Sequence, residues 1–254
     1  MLKLAFYGKG GIGKSTTVCN IAMALAERGL RVMQIGCDPK ADSTSALLCG
    51  IKAMPVLDLI RQKNDAFEWQ EMVFEGVKNI FCVEAGGPVP GMGCAGRGII
   101  NALEKLESKG VYAAIKPDVV LYDVLGDVVC GGFAMPMRKG YADKVYIVTS
   151  GENMSIYAAG NIAMALKNFE NRNYATLGGF ILNRRNVKDE EAKVNTLAED
   201  FASTVVGTLS RSETVAAAEE LQQTVLQAFP ESAMASEYRL LAENILKDAE
   251  NLKC

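Results

Sequence analysis

The chain has 254 residues, of which 49% are hydrophobic and 22% are charged, an ordinary balance for a globular protein. Its net charge of −3 gives no reason to expect nucleic acid or a membrane surface as a partner. Histidine is absent, which excludes histidine-based acid–base catalysis and histidine-ligated metals. The sequence shows no signal peptide and no apolar run long enough to cross a bilayer, so we expect a cytoplasmic protein.

Short apolar runs alternate with longer amphipathic stretches along the chain. The predicted strands are 2–8, 31–36, 79–85, 118–124, 144–150, 177–183 and 204–210. The predicted helices include 15–28, 98–109, 154–169, 189–201, 213–223 and 235–250. This alternation predicts one α/β domain over 1–254, with a doubly wound, mostly parallel sheet flanked by helices. Ligands of such sheets bind beyond the carboxyl ends of the strands.

A glycine-rich stretch, YGKGGIGKST, joins the first predicted strand to the first predicted helix. Its pattern, Gly8-x-x-x-x-Gly13-Lys14-Ser15, is the P-loop pattern of nucleotide triphosphatases. Glycine lets backbone N–H groups approach phosphate oxygens, and the helix N-terminus adds partial positive charge. Lys14 is expected to reach the β- and γ-phosphates and Ser15 to ligate Mg²⁺, while Lys9 adds a second positive charge. The residues expected around the nucleotide phosphates are Gly8, Lys9, Gly10, Gly11, Ile12, Gly13, Lys14 and Ser15.

An acidic residue ends a later apolar strand, VVLYDV. This residue, Asp123, is expected to face Mg²⁺. The segment then continues to Gly126, whose backbone N–H could bind the γ-phosphate, and to Asp127, which could position or deprotonate the attacking water.

A second polar segment, CDPKADST, follows the second predicted strand and carries Asp38 and Asp42. Taken alone, these acids are as readily explained as turn residues at a strand end. Beside a P-loop, this segment and the one after Asp123 are predicted to be switches that the γ-phosphate orders and hydrolysis releases.

The chain has seven cysteines, an odd number, which argues against a disulfide framework. No two of them form a CxxC pair, which argues against a zinc ribbon. Cys19 and Cys82 fall in a predicted helix and strand, where a buried thiol is ordinary. Cys94 and Cys130 instead lie in glycine-rich segments that suit an iron–sulfur cluster. Because a four-iron cluster takes four thiolates, two subunits of a symmetric dimer would each supply two. Cys130 follows Asp127 by three residues, which would join the nucleotide switch to the cluster.

The P-loop with its extra lysine, GKGGIGKST, resembles that of the partition and septum-site ATPases. The combination of this loop with GCDPKADST, EAGGPVPGMGCAGRG and YDVLGDVVCGGFAMP is similar to the nitrogenase iron protein family. The resemblance implies a homodimer that bridges one 4Fe–4S cluster and uses MgATP to deliver electrons to a catalytic metalloprotein. It also implies a ferredoxin or flavodoxin-type electron donor.

The resemblance further implies roles at matching positions of this sequence. Cys94 and Cys130 would ligate the cluster, Arg97 would contact the partner protein and Asn183 would contact adenine. Lys9 would cross to the other subunit's nucleotide. Lys14, Ser15 and Thr16 would bind the phosphates and Mg²⁺. Asp38, Asp42 and Asp123 would serve Mg²⁺ and the first switch, and Asp127 would serve hydrolysis.

The sequence also departs from the family pattern. Segment 208–224 keeps Glu219 but has Ser210 where the family usually has proline, and the chain ends where nitrogenase members usually carry a further tail. These departures favour a nitrogenase-like system, such as the tetrapyrrole reductases, while leaving nitrogenase open. The alternative from another class is a non-redox positioning ATPase of the partition or septum-site type, which has no need for Cys94 and Cys130.

Overall fold

The structure is a computed structural model that describes residues 1–88, 95–126, 134–138, 140–169 and 174–250. Three of the residues singled out above, Cys94, Asp127 and Cys130, lie outside the described residues. Their expected roles therefore remain predictions.

One sheet of eight strands organises the described part of the chain. The strands are β1 (Leu2–Tyr7), β2 (Val32–Cys37), β3 (Phe74–Glu75), β4 (Phe81–Glu84), β5 (Val119–Val124), β6 (Lys144–Thr149), β7 (Thr176–Asn183) and β8 (Val205–Leu209). Their order across the sheet is β3-β4-β2-β5-β1-β6-β7-β8. All neighbours pair in parallel except β3, which runs antiparallel to β4 at one edge. The predicted doubly wound, mostly parallel α/β sheet is confirmed.

Helices cover both faces of the sheet. They are α1 (Lys14–Glu27), α2 (Val56–Lys63), α3 (Ala95–Ser108), α4 (Val111–Ile115), α5 (Asn153–Phe169), α6 (Glu190–Asp200), α7 (Glu213–Glu220), α8 (Val225–Ala228) and α9 (Ala233–Glu250). The short helices α2, α4 and α8 and the two-residue strand β3 were not predicted, because such short elements carry little periodicity. Among the described helices, none combines the length and the apolar character needed to span a bilayer.

Two hydrophobic clusters lie on opposite faces of the sheet. One packs residues of α2, α3, α5 and α6 against the strands, as Ile99 and Ile162 do. The other packs α1 and α7–α9 against the opposite face, with Ile21 and Leu241 in its interior. Because both faces are covered, all six residues of β5 are buried, which explains the near-continuous apolar runs in the sequence.

The parallel register aligns the carboxyl ends of β2, β4 and β5. Gly36 of β2 pairs with Glu84 of β4 on one side and with Asp123 of β5 on the other. Two carboxylates therefore flank a glycine at the carboxyl edge of the sheet. The first loop of the chain, 8–13, leaves the same edge from β1, which lies next to β5.

Candidate functional site

The glycine-rich loop connects β1 to α1 in a conformation that requires glycine at its key positions. Gly13 immediately precedes α1 with a left-handed φ of 87°, and Gly11 has a φ of 74°. Side chains rarely adopt this region without strain. The loop therefore turns its backbone toward the start of a helix, which is the arrangement that binds phosphate.

Lys14 and Asp123 form a buried ion pair at the carboxyl edge of the sheet. The Nζ atom of Lys14 lies 2.6 Å from Oδ1 of Asp123, and the two side chains are 8% and 1% exposed. The hydroxyl of Ser43 donates to the other carboxylate oxygen of Asp123 at 2.6 Å. The loop lysine, the strand-end aspartate and the segment after β2 thus meet at one point.

Two buried side chains, those of Gln34 and Cys19, form hydrogen bonds with Ser43. The side-chain amide of Gln34 donates to both the carbonyl and the hydroxyl oxygen of Ser43, at 3.1 and 3.0 Å. The thiol of Cys19 donates to the carbonyl of Ser43 at 3.0 Å. Burial raises the pKa of Cys19, so that the group stays a thiol and keeps its donor proton. These contacts hold Ser43 in place against Asp123.

Glu84 holds the next residue of the same segment. Its Oε1 atom accepts hydrogen bonds from both the backbone N–H and the hydroxyl of Thr44, each at 2.7 Å. Burial is the largest cause that raises the pKa of Glu84, which reaches about 8, and the charges of Asp123 and Asp42 contribute. Glu84 was not singled out in the sequence, although it ends an apolar strand, FCVE, in the same way that Asp123 ends β5.

Two side chains from the end of β7 brace the glycine-rich loop. The amide of Asn183 donates to the carbonyl of Ile12 at 2.7 Å, and the guanidinium of Arg185 donates to the carbonyl of Gly11 at 2.7 Å. Gly13 leaves no room for a larger residue, because a Cβ atom there would lie 2.6 Å from Nδ2 of Asn183. Asn183 therefore lies beside the loop, and Arg185 is a contact that the sequence did not indicate.

A cavity of about 360 Å³ opens beside this brace. Polar side chains of Asn183, Arg211 and Glu219 line it together with the apolar Val215 and the ring of Tyr238. Glu219 is joined to the first turn of α1, because its carboxylate accepts from the hydroxyl of Thr16 at 2.8 Å. An apolar wall with a few convergent polar groups is the usual form of a small-molecule site.

A second cavity, of about 280 Å³, adjoins the first and shares Thr16, Val215 and Glu219 with its lining. Ser15, Thr16 and Asp42 line it, together with Asn20 and residues of α7 and α8. Asn20 is buried and caps α8, since its carbonyl oxygen accepts from the N–H of Val225 at 2.9 Å. Asp42 and Ser15 therefore line the same cavity.

The other predicted residues lie around this centre. Asp38 is half-buried at the end of β2 and accepts from the backbone N–H of Lys40 at 2.9 Å. Lys9 is half-buried in the glycine-rich loop, and Gly126 is buried against it. Arg97 is exposed in the first turn of α3. Cys19 and Cys82 are buried free thiols, as predicted, whereas Cys49 is exposed.

The segments that lead to Cys94 and Cys130 leave the same edge of the sheet. The first continues from β4 and the second from β5, and β2 lies between these two strands. Both segments therefore start beside the Lys14–Asp123 pair. The described chain ends before each cysteine, at residues 88 and 126 respectively.

Comparison with known proteins supports this picture. Residues 2–253 match the family described as 4Fe-4S iron sulfur cluster binding proteins, NifH/frxC family. A relative named nitrogenase iron protein, from Methanospirillum hungatei JF-1, is 51% identical over 253 residues, covering 98% of this chain and 89% of the relative. A nitrogenase iron protein from Methanococcus voltae is 49% identical over 249 residues, with the same coverage of both chains.

The fold is also found in solved structures of lower sequence identity. The septum site-determining protein MinD of Pyrococcus horikoshii OT3, solved with Mg-ADP, superposes with a TM-score of 0.72 at 20% identity and covers all of this chain and 98% of its own. At this identity the likeness establishes the P-loop ATPase fold alone.

The sequence match assigns a narrower family than the fold does. It covers nearly the whole chain, and its members carry a 4Fe–4S cluster and use MgATP. The glycine-rich loop, the Lys14–Asp123 pair and the flanking cavities fit the nucleotide. The chain belongs to the NifH/frxC family of 4Fe–4S cluster-binding proteins.

Proposed function

We propose that this protein is the ATP-dependent, electron-donating reductase component of a nitrogenase or nitrogenase-like system. A homodimer would hold one bridging 4Fe–4S cluster and couple the hydrolysis of MgATP to ADP and phosphate with the transfer of one electron. The acceptor would be a catalytic metalloprotein and the donor a ferredoxin or flavodoxin-type protein. The observation that carries the proposal is that the segments leading to Cys94 and Cys130 leave the sheet edge beside the Lys14–Asp123 pair.

The nucleotide phosphates would bind along the backbone of the glycine-rich loop. Gly11 and Gly13 have the positive φ angles that let this loop close on an anion. Lys14 would turn from Asp123 to the β- and γ-phosphates, and Asp123 would face Mg²⁺ with the hydroxyl of Ser15. Both groups of the buried pair would thereby keep a partner of opposite charge.

The adenosine would occupy the cavity of about 360 Å³ beside β7. Asn183 lies between this cavity and the loop, where its amide donates to the Ile12 carbonyl. Val215 and Ala216 supply an apolar wall for the base, and Glu219 supplies an acceptor.

The 4Fe–4S cluster would take up and release the transferred electron. Cys94 and Cys130 of one subunit, with the same residues of a second copy, would provide its four thiolates. Lys9 of each subunit would reach the nucleotide of the other. Arg97, exposed on α3 close after Cys94 in the chain, would contact the metalloprotein that accepts the electron.

The coupling would begin at the γ-phosphate. Gly126 is buried against the glycine-rich loop, so a ligand bound by the loop would affect the segment that contains Gly126. Asp127 would orient or deprotonate the attacking water, and Cys130 follows three residues later. Hydrolysis would therefore move a cluster ligand through one short stretch of chain.

Anaerobic purification tests the proposal directly. The wild-type protein should carry about four irons per dimer, give an EPR signal when reduced and release iron to a chelator faster with MgATP. Cys94→Ser and Cys130→Ser should each lose the cluster, whereas Cys49→Ser, at an exposed cysteine, should keep it. Iron-free protein after reconstitution, or a cluster that persists in the Cys130→Ser variant, would show the proposal to be wrong.

A further inference from the structure

Glu84 is buried in an unusual way for a carboxylate. It is 1% exposed, and its Oε1 atom accepts both hydrogen bonds from Thr44, while its Oε2 atom has no hydrogen-bond partner among the described residues. Oε2 lies over Gly36, where a Cβ atom would overlap it. A buried carboxylate with one unpartnered oxygen lowers stability compared with an apolar residue of similar size. Its presence therefore calls for an explanation other than stability.

On one side, Glu84 is connected to the nucleotide site. The contacts run from Lys14 to Asp123, from Asp123 to Ser43, and through one peptide bond to Thr44. Thr44 ends the segment 38–44, which carries the predicted Mg²⁺-facing and switch residues. Any movement of this segment must therefore either carry Glu84 along or break two hydrogen bonds of 2.7 Å.

On the other side, Glu84 is the last residue of β4 and leads into residues 85–88. This loop contacts the segment 38–44 a second time, because a Cβ atom on Gly87 would lie 2.5 Å from Cβ of Pro39. The backbone N–H of Ala85 also donates to the carbonyl of Gly36 at 2.8 Å. The loop that precedes Cys94 in the chain thus packs on the segment 38–44 at Gly87 and directly follows Glu84, which binds Thr44.

We propose that Glu84 is a positioning residue that couples the segment 38–44 to the loop 85–88, through its two bonds to Thr44 and the packing of Gly87 on Pro39. The inference rests on the proposed function, in which the segment 38–44 responds to the nucleotide and Cys94 ligates the cluster. It adds a second line of coupling, through β4, to the one that runs from Gly126 toward Cys130. Each of the two cluster cysteines would then be coupled to the nucleotide through a separate strand, Cys94 through β4 and Cys130 through β5.

Three substitutions test the role of Glu84. Glu84→Gln keeps an oxygen to accept both bonds from Thr44, whereas Glu84→Leu removes every acceptor at similar volume. Thr44→Val removes the hydroxyl donor and leaves the backbone donor. It replaces Glu84→Leu in the test if that variant does not fold. Thr196→Val, at an exposed threonine of α6, is the matched control.

Iron content and the EPR signal of the reduced protein are measured without nucleotide. The rate of iron release to a chelator and the amide hydrogen exchange of the peptide 81–88 are each measured with and without MgATP. We expect Glu84→Gln and Thr196→Val to match the wild type. Glu84→Leu should keep its iron, but its MgATP-induced acceleration of iron release should fall at least about fivefold, the lower end of typical coupling between sites. Thr44→Val should lie between the two, and nucleotide should no longer change exchange of the peptide in Glu84→Leu.

The outcomes separate this inference from the proposed function. If the wild type holds no iron or does not respond to MgATP, the proposed function fails. If the wild type responds and Glu84→Leu, or Thr44→Val in its place, responds equally, the function stands and the coupling through Glu84 is wrong. The same conclusion follows if Glu84→Gln loses the response as fully as Glu84→Leu, because the retained acceptor should rescue it.

Discussion

The backbones of Gly126 and Gly8 are in direct contact, although 118 residues separate them in the chain. A Cβ atom on Gly126 would overlap the carbonyl oxygen of Gly8 and lie 2.6 Å from the nitrogen of Gly8. Gly8 is equally constrained, since a Cβ atom there would lie 3.2 Å from a methyl group of Ile12 and would overlap the carbonyl oxygen of Val148. The glycine of the second predicted switch therefore packs on the first glycine of the glycine-rich loop, with no space for a side chain on either.

Replacing Gly126 should therefore uncouple the switch from the loop. In Gly126→Ala the added methyl group must push the two backbones apart, which costs about 1–3 kcal/mol of the unfolding free energy. Displacement of the Gly126 N–H from the γ-phosphate should lower the rate of MgATP hydrolysis on the order of a hundredfold. A phosphate-release assay and urea unfolding measure the two effects.

The control for this substitution is Gly160→Ala. Gly160 lies within α5, and a Cβ atom there would meet only Cδ1 of Leu197 at 3.6 Å, an ordinary contact. We expect its hydrolysis rate to be unchanged and its unfolding free energy to be equal or higher, since alanine favours a helix. Equal behaviour of the two variants would contradict the close contact between Gly126 and Gly8.

Removing Lys14 should leave a buried charge without a partner. In Lys14→Met, Asp123 keeps only the Ser43 hydroxyl as a partner within the described residues, and breaking such a buried pair typically costs about 3–5 kcal/mol. The double variant Lys14→Met with Asp123→Leu should recover much of this loss, because no unpaired charge remains. Neither should bind MgATP, as calorimetry would show.

The exposed pair Lys247–Glu243 on α9 provides the comparison for Lys14. Its lysine side chain is 67% exposed, so Lys247→Met should change the unfolding free energy by less than about 0.5 kcal/mol. If Lys14→Met were no more costly than Lys247→Met, the Lys14–Asp123 pair would not contribute to stability as its burial indicates.

Asn183 should act on nucleotide binding through the loop that it braces. In Asn183→Leu the carbonyl of Ile12 loses its donor, and a lost bond of this kind costs about 1–3 kcal/mol. We therefore expect the affinities for MgATP and MgADP to fall together, by roughly 5- to 150-fold, since both nucleotides use the loop. Asn161→Ala, at an exposed asparagine of α5, should change neither affinity. A loss confined to MgATP would point to a contact with the γ-phosphate instead.

Glu84 should make the stability of the protein depend on pH. Burial raises its pKa from 4.5 to about 8, so that between these values the folded state holds a proton that the unfolded state has released. The folded state then binds more protons, and this group lowers the unfolding free energy as the pH rises, by up to about 1.4 kcal/mol per pH unit. The penalty is absent below the unfolded pKa and complete above about pH 8.

The variant Glu84→Gln isolates this contribution. Its unfolding free energy should exceed that of the wild type by an amount that grows as the pH rises from 4.5 to about 8. Urea unfolding at several pH values under anaerobic conditions measures the difference. Parallel pH profiles of the two proteins would mean that Glu84 ionises at its ordinary pKa.

Much of the fold could be predicted because it depends on local patterns. The near-continuous apolar runs 118–124 and 144–150 correspond closely to β5 and β6, since strands covered on both faces need no polar alternation. The helix α2 was missed, because its eight residues span barely two turns after Pro55.

The candidate nucleotide site could be inferred from the sequence where a single motif indicates it. Gly13, Lys14 and Ser15 follow a strand and begin a helix, so their place beside a phosphate can be inferred without any other part of the chain. The position of Asp123 could be inferred as well, from its place at the end of an apolar strand. Glu84 has the same local pattern, but no motif distinguishes it from a turn residue.

The sequence by itself determined the alternation of strands and helices, the glycine-rich loop between β1 and α1 and, through its long motifs, the family. Only the tertiary structure decided that Gly126 packs on Gly8, that Asn183 braces Ile12 and that Glu84 binds Thr44. The physical reason is that these contacts depend on the order and register of the strands. That order and register arise from the packing of both faces of the sheet and are not encoded in any short segment.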